Sequence, residues 1–511
     1  MGVWIFYFLA KTYLFYKGYI RLDVLWNLIF MGLLIIPLPK GLKPSRLAAA
    51  AKAIVAVILG SLLLWHDSWL PSPLESANLL QQQGIPTKEY IFNFLLRYYN
   101  PVEMAILSAI LAFCIIIRNY RRLNLTGTVI LIVAAPFLIS SDWHGNTSKE
   151  LDKFLEAFYE HESSKFIYLK KPKTARPDFD IVILNICSLA WDDLEALNLK
   201  GHPLFKEFDY LFTNFNSVSA YSNPSAIRLL RSNCGQTRHG DLYNNVPANC
   251  SIMESLRVMG YETYFLLNHN GQYGNFTEEV KRLGNLNNVK EADIPNLPTQ
   301  LSMFDDSPVY NDYSALERWW SVREKSKSDT AALYYNSVTL HDGVHNAGEK
   351  DWWKMDQEEQ YKKLLPVLLD DMARFLNLLE SSGRNIVVIF IPEHGRAVHG
   401  SAMQKPGFRD IPLPDITNIP VGVKLIGKFQ YDRKKRQQVI IHESASYFAA
   451  AYMLASFIEK NPFKYEGFFS RRFINAIPRT DFVAENEVNI VIRREKNYFL
   501  YGKDKKWLPL H

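Results

Sequence analysis

Five apolar runs occupy most of the first 140 residues of this 511-residue chain, and they restrict its fold more than any other feature. The runs cover residues 3–16, 24–38, 47–65, 102–117 and 126–139. Inside a bilayer, such a run can satisfy its backbone hydrogen bonds only as a helix. The runs predict about five transmembrane helices, although several are shorter than the roughly 20 residues that span a bilayer. The alternative is a set of buried core helices, which would need polar faces that these runs lack.

Two loops between these runs are rich in basic residues, the first with Lys40, Lys43 and Arg46 and the second with Arg118, Arg121 and Arg122. Because cytoplasmic loops carry an excess of Lys and Arg, both loops are expected in the cytoplasm. The fifth span then delivers the rest of the chain outside. No small-x-small cleavage site follows the first run, which favours a membrane anchor over a signal peptide.

Beyond residue 142, strand-like and helix-like segments alternate, which predicts an α/β/α sandwich with a mostly parallel sheet. The strand-like segments are 180–184, 261–267, 331–335, 385–391 and 421–426, and a terminal hairpin is expected at 488–493 and 497–501. The helical segments are 189–197, 225–232, 253–259, 358–379 and 443–457. The predicted domains are a transmembrane domain (1–142), an amphipathic helix with a linker (143–177) and a soluble domain (178–511). The helix, at 148–161, is expected near the membrane surface or against the soluble domain.

Charge and cysteine content limit the classes of function. A net charge of +6 is small for this length and gives no case for binding nucleic acid. Four cysteines are too few for a disulfide scaffold. Cys234 and Cys250 lie in polar, loop-like sequence. They are the natural disulfide if the soluble part is outside the cytoplasm, and free thiols in a reducing compartment.

Metal-ligating residues follow two of the predicted buried strands. The strand at 385–391 leads into Glu393 and His394, and the strand at 179–185 leads into Cys187. Ligands bind at the carboxyl ends of strands in open α/β sheets. These three side chains could therefore share one Zn²⁺, because thiolate, imidazole and carboxylate are all zinc ligands. The alternative for the Glu-His pair is a solvated loop.

Three further residues suit chemistry on a phosphoryl group. Ser222 is expected just before a helix that begins at Pro224, where free N–H groups favour an anion, so it is either a helix cap or a nucleophile. His341 follows a strand and could protonate a leaving oxygen or orient a phosphoryl group, or it is a surface histidine. Arg409 could clamp phosphoryl oxygens or pair with a carboxylate such as Asp410.

In their order along the chain, these motifs resemble the alkaline-phosphatase superfamily, in its branch of membrane-anchored phosphoethanolamine transferases. More closely, they resemble the cellulose phosphoethanolamine transferases of bacterial cellulose-secretion systems. The matching stretches are LNICSL (184–189), FNS (215–217), YS (221–222), AIRLLR (226–231), CGQ (234–236), HNGQ (269–272), LHDG (340–343) and PEHG (392–395).

The resemblance implies an alkaline-phosphatase-like fold with one Zn²⁺ and a covalent serine intermediate. The implied metal ligands are Cys187, Ser222, Glu393 and His394, with Ser222 also the nucleophile. The implied supporting residues are Tyr221, His341 and Arg409. Lipid A phosphoethanolamine transferases of the same branch have a carboxylate at the position of Cys187, a threonine at that of Ser222 and usually Asp at that of Glu393, so these positions favour the cellulose enzymes.

The implied reaction transfers phosphoethanolamine from phosphatidylethanolamine to the glucose 6-hydroxyl of nascent cellulose. The implied location is the bacterial inner membrane with a periplasmic catalytic domain, and subunits of the cellulose synthase complex are candidate partners. Three alternatives remain: a lipid A-type phosphoethanolamine transferase, a phosphodiester hydrolase, and a zinc-stabilised scaffold subunit of the secretion complex. A structural zinc site should have four protein ligands, and serine is a poor one unless ionised, which favours catalysis.

Overall fold

The computed structural model describes residues 3–17, 19–20, 22–36, 46–68, 100–119, 146–170, 178–292, 297–401, 403–432, 437–502 and 505–510. The chain divides into two compact units. One contains Met1–Leu80, Ile91–Glu150 and Gly400–Lys405, and the other contains Gln81–Tyr90, Leu151–His399 and Pro406–His511. The predicted domain boundaries at residues 142 and 177 stay a prediction.

The helices of the first unit, over the residues that the structure describes, are Val3–Tyr16, Val24–Ile35, Arg46–Asp67 and Pro101–Asn119. By length and composition, the segment Ala50–Asp67 could cross a membrane, and Val24–Ile35 and Pro101–Ile116 are shorter apolar helices. Four of the five predicted apolar runs are thus helical. The fifth, at 126–139, lies outside the described residues, and the number of spans stays a prediction.

Polar side chains join three of these helices. Lys11 Nζ lies 2.6 Å from Asp67 Oδ2 and donates to Asn27 Oδ1 at 2.8 Å. Asn27 in turn donates to Asp67 Oδ2 at 2.7 Å, and all three side chains are buried. Because a charge in an apolar helical bundle is costly unless it is paired, this arrangement explains how the first apolar run accommodates a lysine.

The second unit contains fifteen described strands, which are numbered here in chain order. They are β1 (Asp180–Ile186), β2 (Tyr210–Asn216), β3 (Glu262–Leu267), β4 (Lys290–Glu291), β5 (Thr299–Ser302), β6 (Pro308–Tyr310), β7 (Ala331–Ser337), β8 (His345–Asn346), β9 (Ile386–Phe390), β10 (Asn418–Ile426), β11 (Val439–Ile441), β12 (Val483–Glu485), β13 (Ile490–Arg494), β14 (Asn497–Tyr501) and β15 (Trp507–Leu510).

Eight of these strands form the central sheet, in the order β11-β2-β10-β9-β1-β7-β3-β4. Only β10 runs against its neighbours, since it pairs antiparallel with β2 and β9 while the other pairs are parallel. The prediction of a mostly parallel sheet is confirmed. β1 lies between β9 and β7, and all seven of its residues are buried, which is why its sequence is apolar without alternation.

Helices cover both faces of the sheet, as predicted. Because side chains alternate along a strand, Ile181 and Ile183 of β1 enter one apolar cluster while Val182 and Leu184 enter the other. The helices of this unit are Asn146–Ser163, Trp191–Ala196, Pro203–Glu207, Ser222–Leu230, Ile252–Val258, Phe276–Leu283, Asp312–Lys325, Gln357–Ser381, Pro414–Thr417, Tyr447–Lys460 and Arg471–Ala476. Residues of Gln357–Ser381 pack in the second cluster and residues of Tyr447–Lys460 pack in the first.

The amphipathic helix is Asn146–Ser163. Its buried face, which includes Leu151, Leu155 and Phe158, packs against Val483 and Ile492 of the antiparallel sheet β12-β13-β14-β15. The helix was predicted to lie near the membrane surface or against the soluble domain, and the structure shows the contact with the soluble domain. The predicted terminal hairpin is confirmed as β13 and β14 within this sheet.

A disulfide joins Cys234 and Cys250, whose Cα atoms lie 5.1 Å apart. The pairing predicted for a compartment outside the cytoplasm is confirmed. The remaining cysteines, Cys114 and Cys187, are free thiols.

Candidate active site

The candidate site begins where β1 and β9 end side by side. Backbone pairing continues past both strands, since Cys187 N–H donates to Ser337 O at 2.9 Å and Glu393 N–H donates to Ile186 O at 2.8 Å. The side chains of Cys187, Glu393 and His394 are buried, and their ligand atoms all lie within 4.8 Å of one another. The structure thus brings together the three residues that the sequence placed at separate strand ends.

Ser222 joins this group from a helix. Its Oγ lies 3.3 Å from Cys187 Sγ and 3.2 Å from His394 Nε2. The helix begins at Ser222, with Tyr221 as its cap, and not at Pro224 as predicted. Pro224 is tolerated as the third residue because N–H groups of a first turn have no partner within the helix. Ser222 therefore lies in the first turn, where the helix dipole favours an anion.

Burial disfavours the charged form of each side chain in this cluster. Burial raises the pKa of the Cys187 thiol to about 12, with a further contribution from the charge of Glu393. Burial also raises the pKa of Glu393. It lowers the pKa of His394 well below its usual range, and the nearby Arg409 guanidinium adds to that effect. A bound cation would reverse the first two shifts, because it stabilises thiolate and carboxylate.

The residues present fit a metal ion. Glu393 Oε1 accepts a hydrogen bond from Asn336 at 2.6 Å, whereas the buried Oε2 has no hydrogen-bond partner among the described residues. A buried carboxylate oxygen without a partner is costly unless something else occupies its lone pairs. One thiol, one imidazole and one carboxylate with a hydroxyl beside them form a donor set that Zn²⁺ accepts, with three firm protein ligands as in catalytic zinc sites.

Arg409 and Tyr221 flank the cluster. Arg409 Nη1 lies 2.8 Å from His394 Nδ1 and 3.2 Å from its Nε2. Tyr221 donates its hydroxyl to Asp410 Oδ1 at 2.8 Å, and its ring centroid lies 5.9 Å from the Arg409 guanidinium carbon. Arg409 thus lies next to His394, which neither of its two predicted roles included, and Asp410 accepts from Tyr221. The predicted contact of Arg409 with phosphoryl oxygens stays a prediction.

His341 is half-buried and is not hydrogen-bonded to the four clustered side chains among the described residues. Its Nδ1 lies 2.8 Å from the carbonyl oxygen of Asp342. Nδ1 therefore carries the hydrogen, and Nε2 carries the lone pair in the neutral ring. Burial, followed by the charge of Arg409, lowers the pKa of His341 to about 4. At neutral pH the His341 ring is therefore uncharged, and its Nε2 can accept a proton.

Family models match almost the whole chain. Residues 4–136 match the model "Cellulose biosynthesis protein BcsG N-terminal domain", and residues 140–507 match "Cellulose biosynthesis protein BcsG C-terminal domain". The chain belongs to the BcsG family. It is 31% identical to the cellulose biosynthesis protein BcsG of Escherichia coli (strain K12) over 550 residues, which is 99% of this chain and 95% of that protein. The BcsG of Salmonella typhimurium is also 31% identical, over 548 residues.

Solved structures similar to this BcsG-family chain are more distant. One is a protein in the alkaline phosphatase superfamily from Vibrio parahaemolyticus, with a TM-score of 0.45 and 14% identity, covering 70% of this chain and 91% of that one. Another is the C-terminal periplasmic domain of EcEptC from Escherichia coli, with a TM-score of 0.44 and 14% identity, covering 67% of this chain and 97% of that one. The sequence matches confirm the predicted resemblance to a family of cellulose-secretion systems.

Sequence reasoning missed two buried neighbours of the site in this BcsG-family chain. Arg396 donates to Asp342 Oδ1 at 2.7 Å, which ties the loop of His341 to the loop of His394. Asn336 reaches Glu393 from β7. Arg396 lies two residues beyond His394, so the sequence places it in the loop of the site. Nothing in the sequence indicated that its guanidinium is buried. His399, in contrast, is exposed and lies 3.2 Å from Asp192.

Proposed function

We propose that this chain is a zinc-dependent transferase that moves phosphoethanolamine from phosphatidylethanolamine to the glucose 6-hydroxyl of cellulose. The observation that carries the proposal is the position of Ser222. Its hydroxyl lies in the first turn of a helix, 3.3 Å from the Cys187 thiol and 3.2 Å from His394. The nearby Glu393 has one oxygen with no hydrogen bond within the described part of the chain. The names of the relatives, which are cellulose biosynthesis proteins, support the acceptor.

In this proposal, Cys187, Glu393 and His394 would hold Zn²⁺, with Ser222 Oγ next to it. When bound, Zn²⁺ supplies Lewis-acid stabilisation of negative charge on oxygen, which makes a serine hydroxyl a usable nucleophile at neutral pH. The helix N–H groups and the Arg409 guanidinium supply donors for the phosphoryl oxygens. Charge neutralisation and positioning are the main demands of phosphoryl transfer.

The reaction has two displacements at phosphorus. In the first, the Ser222 hydroxyl loses its proton as Oγ attacks phosphorus, the bond to the diacylglycerol oxygen breaks, and that oxygen takes up a proton. In the second, the glucose 6-hydroxyl loses its proton as it attacks the phosphoethanolamine-serine, the bond to Ser222 breaks, and Ser222 Oγ takes up a proton. His341 Nε2, with its lone pair, suits acceptance of the proton from the glucose hydroxyl. The predicted role of His341 as an acid in the first step needs a protonated ring. With a pKa of about 4, the ring of His341 is mostly unprotonated at neutral pH.

The proposed location is the bacterial inner membrane, with the catalytic unit in the periplasm. Apolar helices in the N-terminal unit and the Cys234–Cys250 disulfide support it, since disulfides persist outside the cytoplasm. A membrane anchor suits a lipid donor, because the diacylglycerol product stays in the bilayer. Subunits of a cellulose synthase complex are the proposed partners.

The decisive experiment measures the mass of the peptide that contains Ser222 after the full-length protein has been incubated with phosphatidylethanolamine vesicles. The expected result is an added phosphoethanolamine group that disappears when a cellulose oligosaccharide is supplied. Ser222→Ala should abolish the adduct. Ser225→Ala, on the same helix, is the matched control and should retain it. An unmodified Ser222 in protein that still transfers the group would refute the covalent mechanism, and loss of the adduct to water alone would favour a hydrolase.

A further inference from the structure

The motif His269-Asn270-Gly271-Gln272, which follows β3, has no part in the chemistry described so far. Gly271 has φ of +65°, and its N–H donates to His269 Nδ1 at 3.1 Å. A Cβ on Gly271 would lie 1.8 Å from Thr277 Oγ1, so the turn requires glycine. The turn therefore makes Nδ1 of His269 a hydrogen-bond acceptor.

An imidazole that accepts at Nδ1 carries its hydrogen on Nε2. Burial lowers the pKa of His269 to about 4, which keeps the ring neutral at physiological pH. Its Nε2 lies 3.2 Å from Asn336 Oδ1. His269 therefore donates to the amide oxygen of Asn336.

That bond fixes the orientation of the Asn336 amide. With Oδ1 toward His269, Nδ2 donates to Glu393 Oε1 at 2.6 Å and to Asn185 Oδ1 at 3.1 Å. Asn185 Oδ1 also accepts from Tyr334, at 2.7 Å. A flipped Asn336 amide would place two acceptors together at Glu393 and two donors together at His269. The observed orientation is therefore the one in which each donor of the Asn336 amide and of His269 Nε2 meets an acceptor.

The network crosses the sheet at the carboxyl ends of its strands. His269 follows β3, Asn336 lies on β7, Asn185 lies on β1 and Glu393 follows β9, and these four strands are consecutive in the sheet. Asn185 and Asn336 are direct partners in the β1–β7 register. Asn185, Asn336 and Glu393 are fully buried, so water does not compete for these bonds.

We propose that His269 and Asn336 are positioning residues for Glu393: they hold Oε1 and leave Oε2 as the one oxygen free for the metal. The inference rests on the metal site of the proposed function. Neither residue is among the proposed metal ligands. Partners of this kind orient a ligand and raise its affinity for metal, and their loss typically costs about 10–100-fold in metal affinity.

The test compares two substitutions at His269 in the full-length protein. His269→Phe keeps a flat ring beside Phe276 but removes the donor, whereas His269→Gln keeps a donor at the distal position. Zinc affinity is measured by competition with a chelator, and the visible absorption of the cobalt(II)-loaded protein reports the ligand geometry. We expect about 10–100-fold weaker zinc binding and an altered cobalt spectrum for His269→Phe, and recovery of most of both in His269→Gln.

Equal zinc affinity in wild type and His269→Phe would overturn the inference, as would equal losses in His269→Phe and His269→Gln. If His269→Phe does not melt cooperatively, His269→Ala removes the donor without added volume and serves in its place. Cys187→Ser in the same assay tests the proposed metal site separately from the positioning role of His269. If Cys187→Ser binds zinc as wild type does, the proposed metal site itself is wrong. If it loses affinity while the His269 variants do not, only the positioning role is wrong.

Discussion

Zinc binding should release a proton from Cys187. The metal-free thiol is buried and has a pKa of about 12, so it is protonated throughout the neutral range. A thiol binds zinc as the thiolate and must lose this proton. His394 contributes no proton, since its pKa is already well below the usual range and the ring is neutral.

The size of the effect follows from the pKa. At pH 7 a thiol with a pKa of about 12 is some five units from ionisation, which corresponds to about 7 kcal/mol that metal–thiolate bonding must offset. Each pH unit reduces that cost by about 1.4 kcal/mol, so the apparent zinc association constant should rise about tenfold per unit. Between roughly pH 6.5 and 8.5 the rise should be about 100-fold.

The assay is chelator competition across this pH range, with calorimetry in buffers of different ionisation enthalpy to count protons. A Ser222→Ala background removes any proton that the serine gives up. In that background, Cys187→Ser should bind zinc more weakly and with a slope lower by one proton, because a hydroxyl is a much weaker acid and a poorer zinc ligand than a thiol. Subtracting the proton count of Cys187→Ser from that of its parent also cancels any proton released by Glu393, whose pKa is raised by burial. Equal slopes with and without Cys187, or equal zinc content, would refute the thiolate ligand.

Other expectations test neighbouring parts of the site. In His341→Ala, phosphoethanolamine-Ser222 should form and accumulate, because the second step lacks its base. If the intermediate instead forms slowly, and a nitrophenyl phosphoethanolamine donor restores the rate of its formation, the acid role is supported. Cys234 and Cys250 should resist alkylation until reductant is added, and reduction should cost about 3 kcal/mol of stability for a bridge that closes a loop of this length. Gly395→Ala should displace His394 and lower zinc affinity, because the new Cβ would lie 2.6 Å from that of Ala190; unchanged affinity would contradict this.

The sequence predicted the central strands well because they are buried on both faces. Such strands show as continuous apolar runs, as in β1 and β9. It missed β2, which contains Thr213, Asn214 and Asn216 and pairs with the one antiparallel strand. It also began the helix that contains Ser222 two residues late, because proline marks a first turn but not a unique position within it.

The metal-ligand candidates were predictable because parallel strands end at one edge of a sheet, even though Cys187 and His394 are 207 residues apart. The strand order was not predictable. Asn336 can reach Glu393 only because β7 lies next to β1, on the side opposite β9, and no local pattern encodes that neighbourhood. The motif at His269 contains a glycine that its own turn requires, and this made the motif visible in the sequence. The role of its histidine was not visible, because Glu393 follows a strand three positions away in the sheet.

A buried polar network without a metal could contain the same residues, but its polar atoms would be expected to be hydrogen-bonded to one another. Over the residues that the structure describes, one oxygen of Glu393 has no hydrogen bond. Cys187 is a thiol beside a carboxylate, and His394 is a neutral ring with a guanidinium against it. Each arrangement is unfavourable for the metal-free fold, and a structural network would be expected to satisfy its members. A cation improves the first two directly, because it occupies the free oxygen and stabilises the thiolate. The concentration of these costs around the hydroxyl of Ser222 therefore supports the proposed catalytic metal site over a buried hydrogen-bond network.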